Sequence, residues 1–381
     1  MNTRKMMQIL FFGGVFVLLF AACNAVPAEK IRIGLIAPIT GDLAVTGQFT
    51  VDAAKMAVDE INAAGGLMVD GRQHEIELLI EDNQDNPEVA TSAAQKLINQ
   101  DKVVAIIGPQ ASRNAIPVAR VAENSGIPMI TPYSTNPETT RDKKFVFRAA
   151  YTDLFQGSVL ARFVFEELKL TKAAVLYDIA SPYNRGVAEI FRDSFEAAGG
   201  QVVAFESYTT GEGDFRPQLQ RIAASGAQVL LLPNYYTEIE AQVTQSLELG
   251  LQVQYLGSDT WTTVSMDTLL KIEGAFTCAH YSVESTEPIA QTFVKNFQQR
   301  YSKLPEDVAA LTYDAFGLLF DAIQRQGEFT PEAIRDGLAN GEGYQGVTGL
   351  IQYRGSGDPV KSAVILQARD GKFVFYKQFN P

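Results

Sequence analysis

Cysteine is almost missing from this 381-residue chain: Cys23 and Cys278 are the whole supply, which rules out a disulfide-built scaffold. Histidine is as scarce, with His74 in a charged stretch and His280 in an apolar one, and both read as structural residues. No G-x-S-x-G, Walker loop or zinc-spaced cluster occurs, so a nucleophile–base pair has no support and no enzyme is expected. An excess of positive charge is lacking too. With 32 basic against 44 acidic residues, a formal net charge of −12 and no basic stripe, nucleic acid is excluded as the main partner. The acidic loop Glu81-Asp82-Asn83-Gln84-Asp85-Asn86-Pro87 lacks the spacing, Gly and terminal Glu of a calcium loop, so it reads as capping and solvation. Neither metal nor cofactor is expected. Beyond residue 22 no apolar run is long enough to span a bilayer.

The one strongly apolar run lies at the start. Arg4 and Lys5 precede an apolar stretch over residues 9–20, and Phe20-Ala21-Ala22-Cys23 closes it with small residues. That is the build of a secretory signal; an uncleaved membrane helix competes with it, but the stretch is short for a span. The segment resembles a bacterial lipoprotein signal. The resemblance implies that residues 1–22 are removed, that Cys23 becomes the lipid-bearing first residue, and that residues 23–29 form a tether. The mature protein is then extracytoplasmic, at the cell surface or in the periplasm, and meets the membrane through its N-terminal lipid anchor. Cys278, in the run GAFTCAHY, is left without a partner and reads as a buried small hydrophobe.

The remaining length suits two domains. Apolar runs at residues 31–38, 75–80, 103–107 and 127–130 alternate with helix-spaced segments, the pattern of a parallel sheet covered on both faces. Residues 144–151 read as a strand leading out of this unit. From Asp153 the alternation begins again, with strands expected at 173–177, 202–205, 227–232 and 254–256. The last hundred residues break the rhythm: helices over 288–301, 307–325 and 331–338 precede antiparallel strands around the turn Asp370-Gly371. Such a chain crosses between its units more than once, which makes a hinge.

Two strand ends in tandem organise the rest. The run at 103–107 stops at Gly108-Pro109, and a helical period begins after Ser112; the run at 127–130 ends in Thr131-Pro132-Tyr133-Ser134-Thr135. In open α/β sheets small ligands settle beyond such strand ends. Ser112 stands where free N–H groups and a helix dipole favour an anion, although it could be a mere N-cap, and Thr135 a mere turn residue. The second unit offers Tyr183, Tyr235 and Asp259 at its own strand ends. Facing each other, the two sets would suit a zwitterion, with Ser112 and Thr135 at its carboxylate and Asp259 at its ammonium. The competing reading leaves Asp259 as a helix cap and the tyrosines as packing.

The strings IRIGLIAPITGDLAVTGQ, INAAGG, VVAIIGPQAS, IPMITPYSTNPETT, PNYYTE, YLGSDTW, AALTYDA and GVTGLIQY, in this order and spacing, resemble the type I periplasmic solute-binding proteins of the branched-chain amino acid (Leu/Ile/Val) family of ABC importers. The resemblance implies an α/β fold of two Rossmann-like lobes joined by a multi-strand hinge. The expected division is residues 30–152 plus 283–354 for the first lobe and 153–282 plus 355–381 for the second. It further implies that Ser112 and Thr135 hold the ligand carboxylate, that the carbonyl of Tyr133 and the side chain of Asp259 take the ammonium, and that Tyr183 and Tyr235 line the cleft. Gln110 and Ala111 would border the ligand's side chain, Gln110 where leucine binders often have an apolar residue, and Thr46 stands where an aromatic can occur. The implied partners are an amino acid and an ABC permease, with the binding protein a monomer. A polar amino acid, an amide, urea or a small aromatic acid stays open as ligand. So does a ligand-sensing receptor module, although no helix-turn-helix precedes the fold and no membrane helix follows it.

Overall fold

A computed structural model describes residues 29–381. Its first strand, β1 (Ile31–Ala37), is apolar at nearly every position and buried on both faces, as a central parallel strand must be. The helix α1 (Ala44–Ala63) leads to β2 (Ile76–Asp82), which pairs with one edge of β1. Next comes α2 (Pro87–Asn99), opened by the Asn86 side chain, which accepts the N–H groups of Glu88 and Val89. Then β3 (Ala105–Ile107) pairs with the other edge of β1, α3 (Ser112–Ser125) follows, and β4 (Met129–Thr131) and β5 (Val146–Arg148) extend the sheet. The strand order is β2-β1-β3-β4-β5, all parallel.

The second unit repeats the scheme. It runs α4 (Asp153–Arg162), β6 (Lys172–Asp178), α5 (Pro182–Ala197), β7 (Gln201–Tyr208), α6 (Arg216–Ala224) and β8 (Val229–Leu232). It continues through α7 (Tyr236–Glu248), β9 (Gln254–Gly257) and β10 (Phe276–Ala279). The chain then returns to the first sheet with α8 (Pro288–Tyr301), α9 (Asp307–Gln326) and α10 (Pro331–Ala339). Leu311, Phe316, Leu319 and Ile323 of α9 pack into the same core as Ile31, Ile33 and Leu35 of β1. A small sheet of β11 (Tyr344–Gly346), β12 (Gly349–Tyr353) and β13 (Pro359–Val360) stays with that lobe, Ile351 and Tyr353 joining its core. Finally β14 (Ala363–Arg369) and β15 (Lys372–Phe379) add antiparallel to β10, giving the order β15-β14-β10-β9-β8-β6-β7.

The chain passes between the lobes three times: just after β5, just after β10, and between β13 and β14. The third passage falls later than the expected boundary at residues 354/355. The Gly357 carbonyl accepts the Arg148 N–H at 3.0 Å and β13 pairs with β12, so the backbone is tied to the first lobe as far as Val360. Three strands went unanticipated as strands. Phe276–Ala279 looked only like an apolar run, and the hairpin of Leu67–Val69 with Arg72–His74 is too short and polar to show a period of two. His74, expected in a charged surface stretch, is in fact buried, with Nδ1 2.6 Å from the Glu29 carbonyl oxygen and its ring edge-on to Phe329.

Candidate functional site

The C-terminal ends of both sheets face one another. In each sheet the order reverses beside the first strand, between β1 and β3 and again between β6 and β8, and these reversal points are where α/β sheets open a crevice. There the lobes enclose a cavity with about 410 Å³ of empty space, its mouth included. Leu43, Thr46, Gln110, Ala111, Ser112 and Tyr133 line it from the first lobe. Tyr183, Tyr235, Tyr236, Asp259, Thr260 and Thr263 line it from the second. Apolar and aromatic side chains with a few convergent polar groups give it the lining of a small-molecule site.

Ser112 is the first residue of α3, and the N-cap is Ala111, which supplies no capping side chain. The first N–H groups of the helix are therefore available to an anion at its positive end. Gly108, at φ 93°, makes the turn that brings this end beside β1; any Cβ there would collide with the Ile36 carbonyl. The Ser112 hydroxyl shares a hydrogen bond with Ser134 Oγ at 2.9 Å, which shares another with Thr139 Oγ1 at 2.8 Å. Thr135 was expected next to Ser112 but lies behind the cavity wall, fully buried and outside the lining. Its Oγ1 sits near the Asp153 carboxyl without a well-aligned hydrogen bond, while its carbonyl accepts the Asp153 N–H at 2.9 Å.

Beside it lies Arg148, a fully buried guanidinium that donates to the Ser134 carbonyl at 2.6 Å and to the Asn136 carbonyl at 2.9 Å. It also reaches Thr140 Oγ1 at 2.7 Å and the Asp358 carboxylate at 2.6 Å. These bonds hold the backbone carbonyls of Ser134 and Asn136, the residues on either side of Thr135.

Asp259 projects from the turn after β9. Trp261, fully buried with Nε1 donating to the Leu232 carbonyl at 2.9 Å, fixes that turn, and Gly257 leaves room for the indole. One Asp259 oxygen accepts from the Tyr183 hydroxyl, and the other lies 3.1 Å from His280 Nε2. Burial pushes His280 down to about 4 against the opposing pull of Asp259, so at neutral pH the imidazole is uncharged and donates Nε2–H. Its ring stacks on Tyr151 with centroids 3.7 Å apart. A neutral neighbour orients the carboxylate without cancelling its charge, which leaves Asp259 able to receive a cation. Burial, reinforced by Asp259, raises the Tyr183 phenol well above its ordinary range, so it remains a donor.

Several contacts bind lobe to lobe. The Tyr133 hydroxyl donates to the Asp259 carbonyl at 2.8 Å, the Tyr236 hydroxyl to the Asp42 carbonyl at 2.9 Å, and Asn136 Nδ2 to the Pro182 carbonyl at 2.9 Å. Arg113, paired with Asp85, lays its guanidinium 4.7 Å from the centre of the Tyr235 ring.

Of the expected residues, Gln110, Ala111, Ser112, Tyr133, Tyr183, Tyr235 and Asp259 converge on this cavity, and Thr135 stands one layer back. Cys23 lies outside the described residues. Sequence reasoning missed Leu43, Tyr236, Thr260 and Thr263, and gave His280 no site role. Tyr236 adjoins Tyr235, and Thr260 and Thr263 share the Asp259 turn. His280 would have emerged had β10 been recognised, because β9 and β10 are parallel neighbours whose ends meet. The acidic loop performs capping and bracing: Asp82 accepts the Ile39 and Thr40 N–H groups, and Asp85 holds Arg113 and Asn114. Cys278 is fully buried 3.4 Å from the Tyr151 hydroxyl, and burial raises its thiol.

Two α/β lobes with polar groups converging from both sides on one cavity define a site for a small solute. The chain belongs to the periplasmic binding protein family, which matches residues 30–372. It is similar to a leucine-, isoleucine-, valine-, threonine- and alanine-binding protein of Pseudomonas aeruginosa, 29% identical over 344 residues, covering 88% of this chain and 89% of that one. Among solved structures, the leucine-binding protein LivK of Thermotoga maritima superimposes with a TM-score of 0.86 at 30% identity, covering 92% of this chain and 99% of the other. The branched-chain amino acid transporter substrate-binding protein LivJ of Streptococcus pneumoniae, in complex with isoleucine, gives 0.85 at 29% identity, covering 92% and 100%. Among the described residues no helix is long and apolar enough to cross a membrane.

Proposed function

We propose that the chain is the extracytoplasmic substrate-binding protein of an ABC importer, taking an amino acid, branched-chain or related, into the interlobe cleft. The observation that carries this reading is that Ser112 at a helix N-terminus and the Asp259 carboxylate border one cavity from opposite lobes. That is the charge pattern of an α-amino acid. The carboxylate of the ligand lies against Ser112 and the first N–H groups of α3; its ammonium lies against Asp259 and the Tyr133 carbonyl. Contacts to both lobes favour the closed arrangement over the open one, and hinge closure follows from that difference in affinity. The hinge consists of the three passages, so the lobes are residues 30–152 plus 283–360 and residues 153–282 plus 361–381. The closed form, a monomer tethered through lipidated Cys23, presents its solute to a membrane permease. No chemistry is performed on the solute.

Stripped of bound solute by partial unfolding and refolding, the protein should show a raised Tm with one or more α-amino acids and none with the matching amines or acids alone. No response to any amino acid, beside a clear response to urea, an amide or an aromatic acid, would overturn the reading. Fatty-acid labelling of the wild type but not of Cys23→Ala checks the anchor separately.

A further inference from the structure

With the ammonium at Asp259 and the carboxylate at Ser112, the wall left for the ligand's side chain is Leu43, Thr46, Gln110 and Tyr236. This deepens the proposed function and rests on it. Most polar groups of that wall are already engaged within the protein. The Thr46 hydroxyl donates to the Leu43 carbonyl at 2.8 Å, and the Tyr236 hydroxyl donates to the Asp42 carbonyl at 2.9 Å. Gln110 is only 2% exposed, and its Nε2 donates to the Thr46 carbonyl at 3.2 Å. A carbonyl can only accept, so the amide nitrogen must face Thr46, and the orientation of the amide is settled by its partner. The other end, Oε1, then points away from Thr46, and it has no hydrogen-bond donor among the described residues. A buried carbonyl-type oxygen without a donor carries a desolvation cost that nothing offsets. An aliphatic ligand side chain would leave that cost in place. A ligand side chain carrying an O–H or N–H would remove it.

We propose that the side-chain subsite selects amino acids bearing a short side chain with a hydrogen-bond donor, a hydroxyl or a carboxamide, received by Gln110 Oε1, over aliphatic amino acids of the same shape. Threonine and valine make the sharpest comparison, since they differ by a hydroxyl in place of a methyl. A subsite built to pair a hydroxyl rejects the analogue without one far more strongly than an apolar subsite rejects an added hydroxyl.

Titration calorimetry on the solute-free protein should therefore give threonine at least tenfold tighter than valine. Gln110→Leu should lose that preference or reverse it, while Gln110→Glu, which keeps an acceptor at the same reach, should bind threonine better than the leucine variant does. Thermal denaturation of both variants without ligand separates a folding defect from a binding one. Valine binding as tightly as threonine to the wild type, with Gln110→Leu unchanged in preference, would overturn the inference while leaving an amino acid in the cleft. Failure of every amino acid to bind would instead overturn the functional reading beneath it.

Discussion

Replacing Asp259 by asparagine removes one charge and almost no volume, which isolates the electrostatic part of the proposed ammonium contact. Two of the acceptor positions of the carboxylate are taken by Tyr183 and His280, and a ligand ammonium would take a third. A charge-assisted hydrogen bond of this kind contributes about 1.5–3 kcal/mol, or about 10- to 100-fold in Kd. The asparagine can be accommodated locally: its oxygen accepts from Tyr183 and its amide donates to a His280 that moves its proton to Nδ1, a nitrogen without a partner among the described residues. Stability without ligand should then change by about 1 kcal/mol or less, since weaker hydrogen bonds to a neutral acceptor are offset by the removal of a buried charge. Calorimetric titration with the best-binding amino acid, alongside urea denaturation of the free protein, reads the two quantities apart. Affinity unchanged within threefold, in a variant of near-normal stability, would refute the assignment of Asp259 to the ammonium. A collapse of stability would show instead that the carboxylate holds the lobe together.

Because Ser112 borders the cavity and Thr135 stands behind it, Ser112→Ala should weaken binding by about tenfold, one charge-assisted hydrogen bond, with a smaller loss in Thr135→Ala; equilibrium dialysis of the two variants gives the ranking. Arg148→Met strips the buried donors from the Ser134 and Asn136 carbonyls and should cost about 3–5 kcal/mol, as breaking a buried ionic cluster does, which urea denaturation would register. Burial raises the carboxyls of Asp307 and Glu306 to about 8, so the folded state holds protons that the unfolded chain has released by pH 6.5. Stability should therefore fall as pH rises from 6.5 to 8, above the range in which His280 acts in the opposite sense. Asp307→Asn should make that fall shallower, and an unaltered pH slope in urea titrations would count against it.

Most of the architecture could be read from the chain because the central strands of both sheets are parallel and buried on two faces, so they stand out as apolar runs bounded by turn residues. Helices 216–224 and 288–301 fall where their spacing and flanking prolines place them. What escaped lacked a local signal. The hairpin at 67–74 is three residues a side, and β10 is hidden in an apolar run that equally fits a buried helix. The cavity lining was legible residue by residue wherever a side chain lies just past a strand. It was not legible where one layer supports another: nothing near Arg148 in sequence announces that its guanidinium reaches Ser134, Asn136, Thr140 and Asp358. His280 was undervalued for a related reason, since its meaning depends on which strand is next to β9.

The grip of Tyr183 and His280 on Asp259 has a kinetic consequence. The carboxylate is already held in a single rotamer when the solute arrives, so the ordering of that side chain is accomplished during folding and is not repeated at each encounter. On the proposed function, capture would be limited by diffusion and by how often the two halves part, and differences among solutes should surface in how long each one stays.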